Sequence, residues 1–417
     1  MKLKRFFYIV MLFTVIGGQA AEKPVKYKTV QSEAKTAIKN GSNQANAEKN
    51  LLAIVNREDI TKNQRADIYF TAGELERSMN KAENMKLYLH QAYDTAKFFS
   101  TILKMHEYML SCDSVEVMQC DESGKIKFRH RNKSRELMLL YRSNLRSGGM
   151  FFLKKDKFAE AYPYFDMYLT TAAHPIMEDV AAVTGDTLLP RIAYWATLSA
   201  YNANQPQSAL KYIDRAIAGM TDSVRVSLQE YKVRCYEALG EEEQWVNQLI
   251  EGNALYPNHD YFFLHLMDVY EQQKNYDVAI ALCDTMLQRV GDRAIYWYGK
   301  SQIYLRKQDF EHTIQTANEA LRCDSTMIDA YYNKGIAYLN EAIIFAETAC
   351  NDIRDPKCRQ DRLTLQNLYQ HAREPLEQMR RLSPDASDRW ASPLYRIYLN
   401  LNMGKEFSEM EKILNGR

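Results

Sequence analysis

The residue types that most often carry catalysis or hold metals are spread along this sequence. Its eight histidines form no His-Glu-x-x-His motif and its seven cysteines form no paired Cys-x-x-Cys motif, so the sequence predicts no metal site. The one local concentration of ligand types is His259, Asp260, His265 and Asp268. His265 and Asp268 are three residues apart and share a helix face, but solvated or groove-lining side chains account for this group better than metal ligands do.

Catalytic motifs are also missing from the sequence. It has no Gly-rich phosphate loop after a strand, no Gly-x-Ser-x-Gly elbow and no cysteine with an orienting histidine nearby. Carboxylates are common in a chain with 53 Asp and Glu, so pairs of them indicate nothing by themselves. The sequence therefore predicts no catalytic residues and no cofactor, which favours a protein that is not an enzyme.

The charge balance argues against nucleic acid as a partner. Lys and Arg number 54 against 53 Asp and Glu, so the formal net charge is +1. A protein that binds nucleic acid through its phosphates normally shows a strongly basic domain. We therefore expect a different kind of partner.

The first 21 residues have the pattern of a secretory signal peptide. Lys2, Lys4 and Arg5 precede an apolar run at 6–16, and small residues follow at 17–21. Eleven helical residues rise about 16 Å, roughly half of the hydrocarbon thickness of a membrane, so a permanent span is the weaker interpretation. No cysteine stands at the cleavage point for a lipid anchor. The pattern predicts export to the periplasm or the cell exterior, with a mobile linker at 22–30 and no transmembrane span in the mature chain.

The odd number of cysteines is not typical of a disulfide scaffold. Cys235, Cys283 and Cys323 fall inside predicted helices, where a small buried hydrophobe is the expected role. Cys350 and Cys358 flank a polar stretch that can fold back and bring them together. They are therefore a candidate structural disulfide.

The elements that must position any binding surface are set by a repeat. Tyr236, Tyr270, Tyr304 and Tyr338 follow one another at intervals of 34 residues. On both sides of the polar breaks 273–275 and 307–309, the apolar residues keep helical spacing. Each unit therefore predicts two amphipathic helices of about a dozen residues.

This pattern resembles the tetratricopeptide repeat (TPR) family, in which small and aromatic residues recur at fixed positions over 34 residues. The segment Ala330-Tyr331-Tyr332-Asn333-Lys334-Gly335-Ile336-Ala337-Tyr338 matches the signature of the first helix of a repeat. The resemblance implies an all-α, right-handed TPR-like α-solenoid of antiparallel helix pairs. The signal peptide, an inserted hairpin and the segment 398–405 together look like uncharacterised exported TPR proteins of Bacteroidetes-type bacteria.

Other repeats extend the predicted solenoid over residues 31–417. A helical pair spans 31–55, and in a second repeat Gly73 takes position 8 while Met85, Leu89 and Ala92 take positions 20, 24 and 27. A further repeat carries the following matches: Leu145, Gly149, Phe152, Phe158, Ala161, Phe165 and Tyr168.

Interruptions in the pattern predict insertions. Alternation at 115–119 and 125–131 around a turn at 121–124 predicts one small inserted β-hairpin at about 113–131, with Lys125, Lys127, Arg129 and Arg131 on one strand face. Residues 174–190 predict a loop. An insertion at about 341–365 precedes the second helix of the last full repeat, and helices within 388–415 cap the array.

The TPR resemblance also implies which side chains line the concave side of the solenoid, since the first helix of each repeat faces it. Tyrosine suits such a groove because it offers a large contact area with few rotatable bonds and a hydroxyl for a peptide backbone. Carried over position by position, the groove residues are Tyr231, Arg234, Tyr261, His265, Asp268, Tyr298, Gln302, Tyr332, Asn333 and Ile336.

The sequence as a whole predicts a non-catalytic scaffold that binds a protein or peptide along this groove, in an assembly of the cell envelope. A carbohydrate- or nutrient-capture protein is the alternative, which exposed flat rings at Trp195, Trp297 or Trp390 would favour. A third hypothesis is an enzyme that uses the loop 174–190 as a lid.

Overall fold

A computed structural model describes residues 25–119, 126–350 and 354–416 of the chain. Nineteen α-helices and one short 3₁₀ helix account for its secondary structure, and these described ranges contain no strand. The prediction of an all-α solenoid of helix pairs is confirmed. The chain forms two compact units, residues 1–219 and 220–417, which we describe separately.

The first unit contains four antiparallel helix pairs, in which each helix packs against its successor. A short connection with a 3₁₀ helix at Pro175–Met177 and a one-turn helix precedes the last pair. Its helices are α1 (Tyr27–Asn40), α2 (Gln44–Ile54), α3 (Lys62–Tyr88), α4 (Thr95–Val117), α5 (Arg131–Leu153), α6 (Phe158–Ala173), α7 (Ala181–Thr184), α8 (Leu189–Asn202) and α9 (Pro206–Gly219).

The second unit contains five helix pairs. Its helices are α10 (Asp222–Leu239), α11 (Glu242–Leu255), α12 (Asp260–Gln272), α13 (Tyr276–Arg289), α14 (Ala294–Arg306), α15 (Phe310–Cys323), α16 (Ile328–Thr348), α17 (Pro356–Leu382), α18 (Ser387–Asn400) and α19 (Gly404–Asn415).

Tyr236, Tyr270 and Tyr304 mark the turn between the two helices of their repeats, whereas Tyr338 lies inside the longer helix α16. The carbonyl of Tyr270 accepts the N–H of Asn275 at 2.8 Å, and the carbonyl of Tyr304 accepts the N–H of Asp309 at 3.0 Å. Lys274, the residue just before Asn275, adopts the left-handed backbone conformation with φ 57°. This hydrogen bond and the left-handed residue are those of a Schellman motif, which ends one helix and reverses the chain into the next. The predicted breaks at 273–275 and 307–309 are therefore confirmed.

The second repeat differs from its prediction. Helix α3 continues to Tyr88 without a break, because no glycine or proline interrupts it after Gly73. Met85 and Leu89, which the prediction assigns to positions 20 and 24 of a second helix, are 59% and 53% exposed. Met109 of α4 instead packs against Gly73, whose added Cβ would lie 2.6 Å from the Met109 methyl group. The repeat therefore has two long helices in place of two short ones.

The predicted β-hairpin at 113–131 is wrong, because its described residues form no strand: the first predicted strand lies in α4, residues 126–130 are irregular and Arg131 begins α5. Residues 115–117 belong to α4, and the apparent alternation there reflects a buried carboxylate, Glu116, rather than strand spacing. Its carboxylate accepts the backbone N–H groups of Arg129 at 3.0 Å and His130 at 2.9 Å, which fixes the chain where α5 begins. The predicted turn, with Lys125, falls on residues 120–125, which lie outside the described residues.

Two arginines of the predicted basic strand face are held within the unit. Arg129 lies 2.9 Å from a carboxylate oxygen of Asp67, and Arg131 lies 3.3 Å from Asp113. Two of the four charges predicted for this strand face are therefore paired with carboxylates of the same unit.

The connection at 174–190 is packed against the helices. Ile176, Met177 and Val183 are buried in a core cluster with α4 and α5. Asp186 accepts hydrogen bonds from Arg142 at 2.7 Å and from the Tyr168 hydroxyl at 2.6 Å. This anchoring gives the segment a structural role rather than that of a lid.

The predicted insertion in the last full repeat is observed as two long helices. Helix α16 runs to Thr348, and α17 carries Ala372, Leu376 and Met379, all fully buried, after the insertion. The predicted capping helices correspond to α18 and α19.

Cys350 and Cys358 are free thiols in the structure, so the candidate disulfide is not formed. The Cys358 thiol donates to the Cys350 carbonyl oxygen at 2.6 Å, which directs its sulfur to the backbone instead of to the other sulfur. Cys235 and Cys283 are buried, as predicted, while Cys323 is partly exposed.

Candidate functional site

The first helices of the repeats in the second unit are joined by polar side chains across one face. Glu271 of α12 accepts hydrogen bonds from Gln302 at 2.5 Å and Arg306 at 2.6 Å, both on α14. On the far side, Arg389 of α18 pairs with Asp329 of α16 at 2.7 Å. The side chains on this face therefore link α12 to α14 and α16 to α18.

A cavity of about 470 Å³ opens on this face between α14 and α16. Five of the predicted groove residues line it, and Arg389 reaches it from α18. No carboxylate stands among the lining residues, whereas amide, guanidinium and hydroxyl groups do. The lining residues are Tyr298, Gln302, Leu305, Arg306, Gln308, Tyr332, Asn333, Ile336, Asn340 and Arg389.

The two tyrosines of the cavity, Tyr298 and Tyr332, have different surroundings. Burial raises the pKa of Tyr298 to about 12, so its hydroxyl remains a hydrogen-bond donor throughout the neutral range. The Arg389 guanidinium lies 4.6 Å from the centre of the Tyr332 ring, a cation–π contact that orients both groups. Both rings can therefore offer a flat face and a hydroxyl to a ligand.

Asn333 is the most buried of the predicted groove residues, at 5% exposed. Its amide nitrogen donates to the Ser301 hydroxyl at 2.9 Å, and Ser301 in turn donates to the Tyr298 carbonyl at 2.8 Å. The nitrogen of Asn333 is thus committed to the packing of α14 on α16. Its role in the cavity wall is at least partly structural.

The other five predicted groove residues lie on α10 and α12, away from this cavity. The Tyr261 ring contacts the His265 ring, with 4.1 Å between centres, and the Arg234 guanidinium lies 5.4 Å from the Tyr261 ring centre. Tyr231 is half-buried on α10, and Asp268 is exposed on α12. Desolvation by the surrounding side chains raises the pKa of Asp268. This cluster is an aromatic and charged surface next to the cavity on the same row of first helices.

Arg389 is the functional candidate that sequence reasoning missed. Arg389 stands in the first turn of α18, the first helix of the last pair. It falls at position 3 of the 34-residue repeat, which is not a groove position, so extending the pattern by one helix would not have included it.

The three tryptophans named for a carbohydrate site do not supply flat exposed rings. Trp390 is 3% exposed, and its indole N–H donates to the Ser383 carbonyl at 3.0 Å. Trp297 is half-buried with the Lys300 ammonium 5.4 Å from its ring centre. Trp195 is half-buried against Phe165, with 5.8 Å between the rings.

Equivalent positions make equivalent contacts in different repeats. A Cβ added to Gly149 would lie 2.5 Å from the Phe165 ring, and one added to Gly335 would lie 2.5 Å from Leu376, which occupies the same position 24 once the insertion is allowed for. The family's small residue at position 8 is needed for this close approach of two helices. The chain has the fold of the tetratricopeptide-repeat family.

Several solved TPR structures are similar to this chain. A TPR repeats protein from Bacteroides fragilis is 16% identical and covers 63% of this chain and 97% of its own, with a TM-score of 0.32. The C-terminal part of a TPR repeat-containing protein from Cytophaga hutchinsonii is 12% identical and covers 64% and 93%, with a TM-score of 0.40. The TPR2AB-domain:pHSP90 complex of yeast Sti1 is 12% identical and covers 63% and 98%, with a TM-score of 0.23.

Because these identities and TM-scores are low, the fold assignment rests on the helix pairs and their contacts. No protein-family model and no curated relative matches the sequence. Over the described residues, no helix is long and apolar enough to cross a membrane. The same residues contain no group of three or more His, Cys, Asp or Glu side chains placed to hold a metal ion.

Proposed function

We propose that this protein is an exported, non-catalytic TPR scaffold that binds an extended peptide segment of a partner protein in the groove of its second unit. The observation that carries the proposal is the cavity of about 470 Å³, lined by five residues of the predicted groove. Its lining combines flat aromatic rings with hydrogen-bonding side chains. A peptide needs both, because its side chains bury apolar surface while its backbone must remain hydrogen-bonded.

The composition of the lining favours a neutral or acidic segment. Arg306 and Arg389 lie at the cavity, and each is more than a quarter exposed while holding one carboxylate partner. A guanidinium has five N–H groups, so each arginine keeps donors for a second acceptor. A basic segment would meet these two cations with no carboxylate among the lining residues to offset them.

Removing the two tyrosine rings tests the proposal. The double variant Tyr298→Ala, Tyr332→Ala should lose at least about tenfold in recovery of its partner from cell-envelope extracts, since buried aromatic anchors commonly dominate peptide affinity. The matched control is Tyr88→Ala, which removes a 79% exposed tyrosine from the first unit. Circular dichroism melts establish that all variants fold. Equal recovery of the same partners by the wild type and the double variant would remove the groove assignment.

Export is a separate part of the proposal and has its own test. The signal pattern at 1–21 supports it, and mass spectrometry of the chain purified from its native cells should find a new N-terminus close to Ala21. A chain that retains Met1 and remains in the cytoplasm would contradict export while leaving the groove proposal intact.

A further inference from the structure

A second cavity lies in the first unit, whereas the proposed groove lies in the second unit. It has a volume of about 340 Å³ and is formed by α1 and α3, with the residues just before α5 at one end. Pockets of this size take small molecules rather than long chain segments. Its lining residues are Gln31, Lys35, Ile38, Asp67, Phe70, Thr71, Glu74, Arg129 and His130.

The lining carries charges of both signs, and only some of these charges are paired within the protein. Asp67 is fully engaged, because its carboxylate binds His130 at 2.7 Å, Arg129 at 2.9 Å and the Tyr27 hydroxyl at 3.1 Å. Lys35 is exposed on α1 and forms no ion pair with any residue that the structure describes. A free ammonium group therefore stands at the cavity, ready to pair with an anion.

Two oxygens of the wall lack the hydrogen bonds that buried oxygens normally have. Gln31 is 8% exposed and donates through Nε2 to the Thr71 hydroxyl at 2.6 Å, but its Oε1 has no partner. Glu74 binds Arg77 through one oxygen at 2.6 Å, while its Oε1 has no partner. Buried acceptors of this kind usually mark a missing donor.

The two acceptors, Gln31 Oε1 and Glu74 Oε1, belong to side chains that are both adjacent to Thr71. Gln31 bonds to Thr71, and Glu74 follows Thr71 by one helical turn on α3. Neither oxygen is exposed to solvent, and each belongs to a side chain that lines the cavity. Lys35 lies one turn after Gln31 on α1, so the free cation and the free acceptors line the same small space.

An apolar wall completes the cavity. Phe70 is stacked on His130 with 4.3 Å between ring centres, and Ile38 lies on α1. The stacked rings present a flat surface of fixed orientation. This wall suits a ligand that has an apolar or aromatic side chain beside its charges.

We propose that this cavity binds a zwitterionic α-amino acid with an apolar or aromatic side chain. The ligand's ammonium group donates to Glu74 Oε1 and Gln31 Oε1, its carboxylate pairs with Lys35, and its side chain packs against Phe70 and Ile38. Both charges of an α-amino acid lie within a few bonds of each other, which fits free groups one helical turn apart. The same ammonium and carboxylate pair also occurs in a short free peptide, so the test separates these two sources.

Isothermal titration of the full chain with L-phenylalanine and L-leucine tests the proposal. Binding should be measurable at millimolar ligand. N-acetyl-L-phenylalanine, which lacks the ammonium group, and L-phenylalaninamide, which lacks the carboxylate, should each bind at least about tenfold more weakly. The dipeptide Phe-Ala separates the sources: weaker binding than phenylalanine indicates a free amino acid, and tighter binding indicates a peptide end.

Variants connect the binding to the named residues. Lys35→Ala should weaken phenylalanine binding about tenfold, and Glu74→Gln should weaken it while leaving the residual affinity for N-acetyl-L-phenylalanine unchanged. The matched control is Lys39→Ala, which removes an exposed lysine one turn further along α1 and outside the cavity. No binding of either amino acid at millimolar concentration, or equal binding by the wild type and Lys35→Ala, would overturn the proposal. Either result would leave the peptide groove of the second unit unaffected.

Discussion

Replacing Glu76 by glutamine should make the stability of the first unit less dependent on pH. Glu76 of α3 is 1% exposed, and its carboxylate shares a single lysine with a second carboxylate. Lys104 of α4 lies 3.1 Å from Glu76 and 3.7 Å from Glu48 of α2, and the Tyr108 hydroxyl donates to Glu48 at 2.6 Å. Burial, followed by the charge of Glu48, raises the pKa of Glu76 to about 8.

The sign of the effect follows from proton binding. Between pH 4.5 and about 8 the folded protein holds a proton on Glu76 that the unfolded chain has released. The stabilisation of the folded state is therefore complete below pH 4.5 and is lost as the pH rises towards 8. The difference between a pKa of about 8 and the ordinary 4.5 corresponds to at most about 5 kcal/mol, since one pKa unit is about 1.4 kcal/mol.

Denaturant unfolding of wild type and Glu76→Gln at pH 5 and pH 8.5 measures this effect. Glutamine resembles the protonated side chain, so the two proteins should differ by less than about 1 kcal/mol at pH 5, while the variant should be more stable by several kcal/mol at pH 8.5. Glu33→Gln, on the exposed side of α1, is the matched control and should show no such difference. A variant that is equally stable relative to wild type at both pH values would refute the reasoning.

Two further predictions concern helix packing and thiols. Gly149→Ala should lower the melting temperature by a few degrees, because overpacking against the rigid Phe165 ring costs about 1 to 3 kcal/mol and exceeds the gain of about 1 kcal/mol in helix propensity. Gly73→Ala should be neutral or stabilising, because its close contact is the flexible end of Met109. Thermal melts compare the two variants. An equal loss of melting temperature in both would contradict the packing account. Cys350 and Cys358 should both be alkylated without reduction, slowly for Cys358 because its hydrogen bond to Cys350 raises its pKa to about 11, and a disulfide-linked peptide in the mass spectrum would contradict this.

The regular helix pairs could be predicted because several sequence signals agreed with one another. The tyrosine spacing, the polar breaks and the amphipathic pattern all specified the same helix pairs, and Lys274 ends its helix in the left-handed conformation where the break was placed. The insertion before the second helix of the last full repeat could also be placed from the sequence, although the first turns of α17, from Pro356, fall within the predicted insertion.

The errors arose where a 34-residue template was imposed on a longer unit. Gly73 was placed correctly, but its packing partner is Met109 rather than Leu89, because nothing in the sequence stops α3 before Tyr88. The short alternating stretch at 115–117 looked like a strand because buried carboxylates broke the apolar pattern of α4. Short patterns cannot show that an acidic residue will be buried by two backbone N–H groups from another segment.

The candidate site was partly accessible to sequence reasoning. Positions transferred from the repeat placed five residues on one cavity, since a repeat fixes which side chains share a face. The sequence could not show that the amide nitrogen of Asn333 donates to the Ser301 hydroxyl, or that Arg389 reaches the cavity from the last helix pair. Both depend on the packing of neighbouring first helices.

Site-specific photo-crosslinking tests the central claim most directly. A photoreactive amino acid at Asn340, which lines the cavity of the second unit, should crosslink in native cells to one partner through one continuous segment of its chain. The same residue placed at Tyr88, exposed on the first unit, should not capture that segment. Crosslinking of the same segment from both positions, or of no protein from Asn340, would contradict a peptide-binding groove.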